Sequence, residues 1–463
     1  MQAIKTVTKG WDQEKKQELV KLGASHKPYN EILVYLENEI ANSKRMVRFD
    51  YKIYCFRSDG IYQLHRAIEE IIGATSVQDK EAGPSGGSEA VDTIDVVLAD
   101  GSRRKIPYGK IDLPNMGEDA HIEIFYSDND KYLRVRGECQ YKFQNLMDQI
   151  IDKTNLLLKT DSIYKNQAFE INANVDKGQP TILSLNGVEK EHMILSDEVE
   201  YALSPLKARI LHPEKCIQKG ITLKFGALLE GPYGTGKTLL AFKLAKEAIA
   251  NGWSFVYLKS PELLAETLRM CKTLDQNGHG IIVFTEDVDQ VTRGNRDGAL
   301  QDILNTLDGG DTKGMNVIAL FTTNHIELIE PTFLRGKRIG SIISMPMLNA
   351  VTAKKYVEHF FQGNEFEGDF EAVYQLIEKS KIAPAFMAEI IENVKSNMVM
   401  RDENVVTAIN LSVCVNSYLR QVDLSKTKDT TETPETKLSS ALREVLHTQE
   451  FYNRIAEAVS EEE

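Results

Sequence analysis

The feature that most constrains the fold of this chain is a glycine-rich stretch, residues 231–238, between an apolar run and a helical pattern. Glycines let backbone N–H groups converge on one point, and a helix N-terminus adds positive potential there. A strand, a glycine-rich turn and a helix in this order predict a phosphate-binding loop, although a plain strand-to-helix corner is the alternative. Lys237 is expected to reach the β- and γ-phosphates of a nucleotide, and the Thr238 hydroxyl to bind Mg²⁺. The candidate nucleotide-binding residues are Gly231, Pro232, Tyr233, Gly234, Thr235, Gly236, Lys237, Thr238 and Leu239.

Composition excludes several classes of protein. A net charge of -13 over 463 residues argues against a protein that coats nucleic acid, although a local basic groove remains compatible with it. The five cysteines have no paired spacing, which favours buried free thiols in a reducing compartment over disulfides or a zinc site. No apolar run reaches the roughly 20 residues of a membrane span, so we expect a cytoplasmic protein without membrane contact.

The first part of the chain divides into two predicted regions. Residues 1–46 have helical spacing, and residues 47–175 combine alternating strands, hairpin signals such as Asp100-Gly101 and a long helix. This pattern indicates a small α+β N-terminal domain. It contains no catalytic constellation, so a role in partner binding or assembly is expected, with the partner unnamed.

Strands and helices alternate from residue 185 to residue 345, and such alternation predicts an α/β domain with a parallel sheet. Residues 350–422 form an all-helical pattern, which predicts a separate helical bundle. A polar linker, 423–437, and an amphipathic helix, 438–460, follow. That last helix must bury its apolar stripe on its own chain, on a neighbouring subunit or on a partner.

A second candidate element is the apolar strand 281–285, which ends in Glu286 and Asp287. Phosphoryl transfer needs one group that neutralises charge at the metal and one that orients the attacking water. Two carboxylates at the end of a strand downstream of a phosphate loop are suited to these two roles. Solvated acids that merely end a strand are the alternative.

These motifs together resemble those of the AAA+ ATPases over roughly residues 190–425. Residues 231–238 correspond to the Walker A motif and 284–289 to Walker B, while Asn324 stands where the family has its sensor-1 asparagine. Arg335 and Arg338 resemble the arginines that reach the nucleotide of the neighbouring subunit, and 350–422 stands where the family has its lid. The alternatives are a turn residue for Asn324 and surface charges for both arginines. The resemblance implies a P-loop NTPase sheet with a helical lid, ATP and Mg²⁺ as ligands, and a hexameric or heptameric homo-oligomeric ring.

Two departures from the common family pattern narrow the resemblance. The usual Asp-Glu order of Walker B is reversed, so that Glu286 takes the metal position and Asp287 the water-activating position. The aromatic, glycine-containing pore loop of protein-threading members is also expected to have no counterpart after the strand 254–258. Both departures resemble the mitochondrial AAA ATPases that translocate folded Rieske iron–sulfur protein, but this chain lacks their membrane helix.

The expected function is an ATPase ring that remodels or moves a protein substrate without threading it through a pore loop. A nucleic-acid motor or clamp loader is one alternative, and a nucleotide-gated scaffold with low turnover is another. A basic groove would favour the first alternative, and its candidate cations are Arg103, Arg104, Lys105, Arg134 and Arg136.

Overall fold

The computed structural model describes residues 45–73, 92–98, 100–113, 116, 120–172, 179–188, 192–260, 263–271, 274, 280–289, 315–329 and 339–429, with a few single positions before residue 45. In this part of the chain, no helix has both the length and the apolar character that a membrane span requires. Most of the predicted helical segment 1–46, both arginines Arg335 and Arg338, and the predicted C-terminal helix 438–460 lie outside the described residues.

An antiparallel sheet with helices packed beside it forms the N-terminal region. Its elements are β1 (Met46–Tyr54), α1 (Arg57–Ile72), β2 (Asp92–Val97), β3 (Arg103–Tyr108), β4 (Lys110–Asp112), β5 (His121–Ser127), β6 (Tyr132–Gln140) and α2 (Gln144–Thr160). The strands of the sheet lie in the order β1-β6-β5-β4, and β2 and β3 pair as a separate hairpin. Gly101 has φ +81 in the turn of that hairpin, a conformation that glycine adopts without strain, so the predicted hairpin is confirmed.

Alternating side chains give this sheet one buried face and one polar face. Phe49 and Ile53 of β1 are buried, whereas Asp50 between them is exposed. On the polar face, Arg134 binds both carboxylate oxygens of Asp50 at 2.9 and 2.5 Å, and Arg136 lies 2.7 Å from Glu123. Two of the cations on which the nucleic-acid alternative depends are therefore paired with acids across the strands.

A mostly parallel sheet carries the glycine-rich stretch, as predicted. Its strands are β7 (Ala168–Ile171), β8 (Thr181–Ile182), β9 (Phe225–Glu230), β10 (Ser254–Leu258), β11 (Ile281–Thr285), β12 (Val317–Thr323) and β13 (Ser341–Ser344). They lie in the order β13-β9-β12-β11-β10-β7-β8, and only β8 pairs antiparallel to its neighbour among the described strands. The helices of this region are α3 (Asp197–Leu211), α4 (Pro213–Gln218), α5 (Lys237–Ala250) and α6 (Leu264–Met270).

Burial on both faces explains why the central strands are continuous apolar runs. All residues of β11 and β12 are buried. Ile281 and Val283 point into a core that contains residues of α6, whereas Ile282 and Phe284 point into a core that contains residues of α3 and α5. Strands covered by helices on both sides have no solvent face and no need of polar alternation.

The boundary between the two regions differs from the prediction. The sequence predicts that residues 168–171 belong to the N-terminal domain. In the structure they form β7, which pairs in parallel with β10 of the larger sheet. Phe56 and Val96 of the N-terminal region also share one buried core with Phe169 and Leu258. The reason is tertiary: β7 is short, and its apolar residues are buried where it lies between β10 and β8 of the larger sheet. The described residues of both regions belong to one compact unit, which leaves out residues 233–235.

Of the described residues, the second compact unit contains residues 233–235 and those from Pro346 to Asp429. Its elements are α7 (Ala350–Phe360), β14 (Glu365–Glu367), α8 (Glu371–Lys379), α9 (Pro384–Arg401), β15 (Val405–Thr407) and α10 (Ala408–Asp429). The predicted helical character is confirmed, with the addition of a short parallel pair, β14 and β15. α10 continues to Asp429, so the helix extends past residue 422 into the predicted linker.

Candidate functional site

The glycine-rich loop joins β9 to α5 in the conformation that a phosphate loop needs. Gly231 and Gly236 have φ +147 and +91, values that residues with a side chain rarely adopt. A Cβ atom added to Gly231 would lie 2.3 Å from the carbonyl oxygen of Met345. Gly236 at the N-cap also has no side chain to accept hydrogen bonds from the first N–H groups of the 14-residue helix α5. The loop therefore leads into a helix N-terminus that suits an anion.

Lys237 is held over this loop by three acceptors. Its Nζ donates to the carbonyl oxygens of Gly231 and Pro232 at 2.7 and 2.8 Å and to Oδ1 of Asn324 at 2.7 Å. Burial lowers the pKa of Lys237, and the charge of Asp287 is the largest of the effects that oppose this shift. None of the three acceptors is ionised, so the ammonium group keeps its positive charge available for a ligand anion.

Glu286 and Asp287 follow β11 and point to different partners. The two carboxylate oxygens of Glu286 accept hydrogen bonds from the hydroxyls of Thr238 and Tyr257. Oδ1 of Asp287 accepts from Nδ2 of Asn324 at 2.9 Å. One acid thus lies beside the predicted metal ligand Thr238, and the other lies beside the predicted sensor residue Asn324.

The backbone of Asp287 is strained at this point. Its φ is +48, which is uncommon for a residue other than glycine, and its N–H donates to Oγ1 of Thr322 at 3.1 Å. Burial raises the pKa of the Asp287 carboxyl, and the nearby charges of Asp289 and Glu286 raise it further. A carboxylate whose proton affinity is raised is a better proton acceptor than an exposed one.

Sequence reasoning found Asn324 but missed the two threonines before it. Thr322 and Thr323 are buried at the end of β12. The Thr323 hydroxyl donates to Oδ1 of Asp289 at 2.9 Å, and the Thr322 hydroxyl accepts from Asp287 as described above. Two adjacent hydroxyls at the end of an otherwise apolar strand were the available signal. They anchor the acidic loop to the neighbouring strand.

Tyr257, near the end of β10, is a further residue of the site that the sequence analysis did not single out. It reaches the site because β10 lies directly beside β11 in the sheet. Its position within an apolar strand gave no sign of this contact, since tyrosine is common in strands for packing reasons alone.

A nucleotide with Mg²⁺ fits this set of donors. Mg²⁺ prefers oxygen ligands and commonly takes one or two from the protein, with phosphate oxygens and water completing its shell. The Thr238 hydroxyl and the Glu286 carboxylate are such donors, and they contact each other beside the start of α5. When bound, the ion would neutralise negative charge on the phosphates.

Comparison with known proteins supports this interpretation. Residues 227–347 match the family described as "ATPase family associated with various cellular activities (AAA)". Over 260 residues, 53% of this chain, the sequence is 25% identical to the ATP-dependent zinc metalloprotease FtsH of Mesoplasma florum and covers 38% of that protein. Over 165 residues, 32% of this chain, it is 35% identical to the cell division control protein 48 homolog C of Arabidopsis thaliana and covers 19% of it.

This chain covers less than half the length of these relatives, so the similarity concerns a part of each relative and not the whole protein. The loop, α5, β11 and β12 all lie inside the residues that match the family, and β9 lies inside them except for its first two residues. Lys237, Glu286 and Asn324 also lie within the matched residues. Residues 227–347 of this chain are thus similar to the AAA ATPase family in sequence.

Proposed function

We propose that this chain hydrolyses ATP with Mg²⁺ and couples the hydrolysis to the remodelling or movement of a protein substrate. The observation that carries the proposal is the chain of hydrogen bonds from Lys237 through Asn324 to Asp287, at 2.7 and 2.9 Å. It joins the cation of the phosphate loop to the candidate base by way of one neutral amide. A phosphate bound to Lys237 would compete with the hydrogen bond from Lys237 to Asn324. Loss of that bond would free Asn324 to move and so change its hydrogen bond with Asp287.

The contacts support separate roles for the two acids. Glu286 touches the hydroxyl of Thr238, which suits a group that takes part in metal binding. Asp287 touches Asn324 and has a raised pKa, which suits a group that orients a water molecule and accepts its proton. This division supports the roles expected from the reversed Glu286-Asp287 order.

The proposed active form is a homo-oligomeric ring of six or seven subunits, with Arg335 and Arg338 acting on the nucleotide of the adjacent subunit. An arginine supplied from a second subunit stabilises negative charge in the transition state of phosphoryl transfer. The reversed acids and the short segment between β10 and α6 make the Rieske-translocating AAA ATPases the subgroup that this proposal resembles most. Concerted opening and closing of a chamber is the mode of action that it implies.

The direct test is nucleotide binding and turnover with purified variants. Lys237→Ala removes the cation at the phosphates and should abolish tight ATP binding. Asp287→Asn should retain ATP binding and lower turnover by about a hundredfold or more, the usual contribution of a positioned base. Lys246→Ala, on the same helix α5, is the matched control for loss of a lysine and should retain both properties.

Three outcomes would contradict parts of the proposal. Tight ATP binding by Lys237→Ala would refute the assignment of the loop. ATP binding by the unaltered protein without turnover under any condition would favour a nucleotide-gated scaffold. Turnover stimulated by single- or double-stranded DNA, but not by folded or unfolded proteins, would favour a nucleic-acid motor.

A further inference from the structure

The ring of Tyr257, on β10, packs against aromatic rings from two other elements, α5 and β11. Its ring stacks on that of Phe284 at 5.4 Å between centroids, with 26° between the planes. It meets the ring of Phe242 edge-on at 5.6 Å and 84°. Phe242 lies on α5 and Phe284 on β11, so the elements that carry Lys237 and Glu286 also fix the direction of the tyrosine hydroxyl.

This hydroxyl donates a hydrogen bond to one of the two oxygens of the Glu286 carboxylate. Tyr257 donates to Oε2, and the Thr238 hydroxyl donates to Oε1. A carboxylate whose two oxygens each accept from a different fixed donor cannot rotate freely about its last bond.

We propose that Tyr257 is a positioning residue whose hydroxyl keeps a single carboxylate oxygen of Glu286 turned toward Thr238. This orientation would favour the binding of Mg²⁺ over larger cations such as Ca²⁺. Mg²⁺ demands a strict octahedral shell and is bound through few protein oxygens, whereas Ca²⁺ accepts both oxygens of one carboxylate. Because Oε2 is bonded to Tyr257, Oε1 is the one oxygen of Glu286 that faces Thr238, the other predicted metal ligand. The proposal rests on the proposed function, because it assumes that Mg²⁺ binds with the nucleotide at this site.

The hydroxyl would act as an outer partner of a metal ligand. Removal of such partners typically weakens metal binding by about 10- to 100-fold. Tyr257→Phe removes the hydroxyl and retains the ring that packs on Phe242 and Phe284. Tyr201→Phe is the matched control, because Tyr201 on α3 is 83% exposed and its loss of a hydroxyl leaves the site untouched.

The experiment measures binding of a fluorescent ADP analogue to the full chain during titration with MgCl₂ or CaCl₂, and in EDTA. For Tyr257→Phe, we expect analogue affinity in EDTA within about twofold of the unaltered protein and a Mg²⁺ midpoint raised about 10-fold. The Ca²⁺ midpoint should rise less than the Mg²⁺ midpoint, so the preference for Mg²⁺ narrows. A role in packing alone would lower the melting temperature and the EDTA affinity without changing the ratio of the two midpoints.

A second variant keeps the test independent of the aromatic cluster. Glu286→Asp shortens the carboxylate by one methylene group and should withdraw it from Tyr257 with the rings left in place. In that background, Tyr257→Phe should change the Mg²⁺ midpoint by less than twofold. If Tyr257→Phe had the same Mg²⁺ midpoint and the same Ca²⁺ midpoint as the unaltered protein, this inference would be overturned and the proposed function would stand. Absence of any Mg²⁺-dependent nucleotide binding in the unaltered protein would instead overturn the proposed function.

Discussion

A buried carboxylate between the N-terminal region and the ATPase sheet permits a quantitative prediction. Asp59, in the first turn of α1, is 2% exposed. Its Oδ2 accepts from the Ser162 hydroxyl at 2.5 Å, and its Oδ1 accepts from the N–H of Ile163 and from Nε2 of Gln63, both at 3.2 Å. Ser162 and Ile163 lie just before β7, so this one side chain joins α1 to the strand that enters the ATPase sheet.

Burial makes the ionised form of Asp59 costly. It raises the pKa of this carboxyl from 3.8 to about 6, against the opposing effect of its hydrogen bonds. A shift of about 2 units corresponds to roughly 3 kcal/mol between the two protonation states. Because the pKa is higher in the folded state, this free energy of stabilisation is fully present below about pH 4 and is lost as the pH rises through about 6.

Asp59→Asn cannot ionise, yet it retains acceptors for Gln63 and Ile163 and gains a donor for Ser162. The stability of this variant, measured as its free energy of unfolding minus that of the unaltered protein, should therefore increase as the pH rises. About 1.4 kcal/mol of this relative gain should fall between pH 5 and pH 7.5. Urea unfolding at both pH values measures the difference through the midpoints and slopes.

The control is Asp152→Asn, since Asp152 is exposed on α2. A constant difference between Asp59→Asn and the unaltered protein at both pH values would refute the argument. A difference of the opposite sign would show that the carboxylate is stabilised in its ionised form, and that the hydrogen bonds from Ser162, Ile163 and Gln63 outweigh its burial.

Four further predictions concern the active site and the tail. Gly231→Ala should weaken nucleotide binding at least tenfold, because its Cβ would lie 2.3 Å from a backbone carbonyl oxygen at φ +147; unchanged affinity would show that the loop shifts freely. Asn324→Ala should lower turnover by about a hundredfold with a smaller effect on ATP affinity, and equal losses in both would assign this residue to binding alone. Mixtures of Arg335→Ala with Lys237→Ala should recover ATPase activity if one subunit supplies the pocket and the other the arginine, and no recovery at any ratio would argue against a shared site. Deletion of residues 430–463, which begins after the end of α10, should leave basal turnover intact, and loss of assembly would identify the tail as an inter-subunit contact.

Local patterns were sufficient to predict a glycine-rich turn between a strand and a helix, and the position of two acids after β11. Each of these depends on residues near one another in the sequence: glycines that permit positive φ, apolar runs of strand length, and helical spacing after Lys237. The parallel sheet followed in the same way, because alternating strands and helices have few other ways to bury their apolar faces. The residue types at Lys237, Glu286, Asp287 and Asn324 then indicated their chemistry.

Only the tertiary structure decided which side chains meet. The order β9-β12-β11-β10 differs from the order of these strands in the chain, and it brings Asn324 to Lys237 across 87 residues of sequence. The pairing of β10 with β11 also places Tyr257 beside Glu286, and the pairing of β7 with β10 puts β7 in the larger sheet and not in the N-terminal domain. Contacts of this kind depend on which edge each strand finds, and strand pairing between distant segments is set by the packing of the whole sheet and not by the local pattern of any one strand.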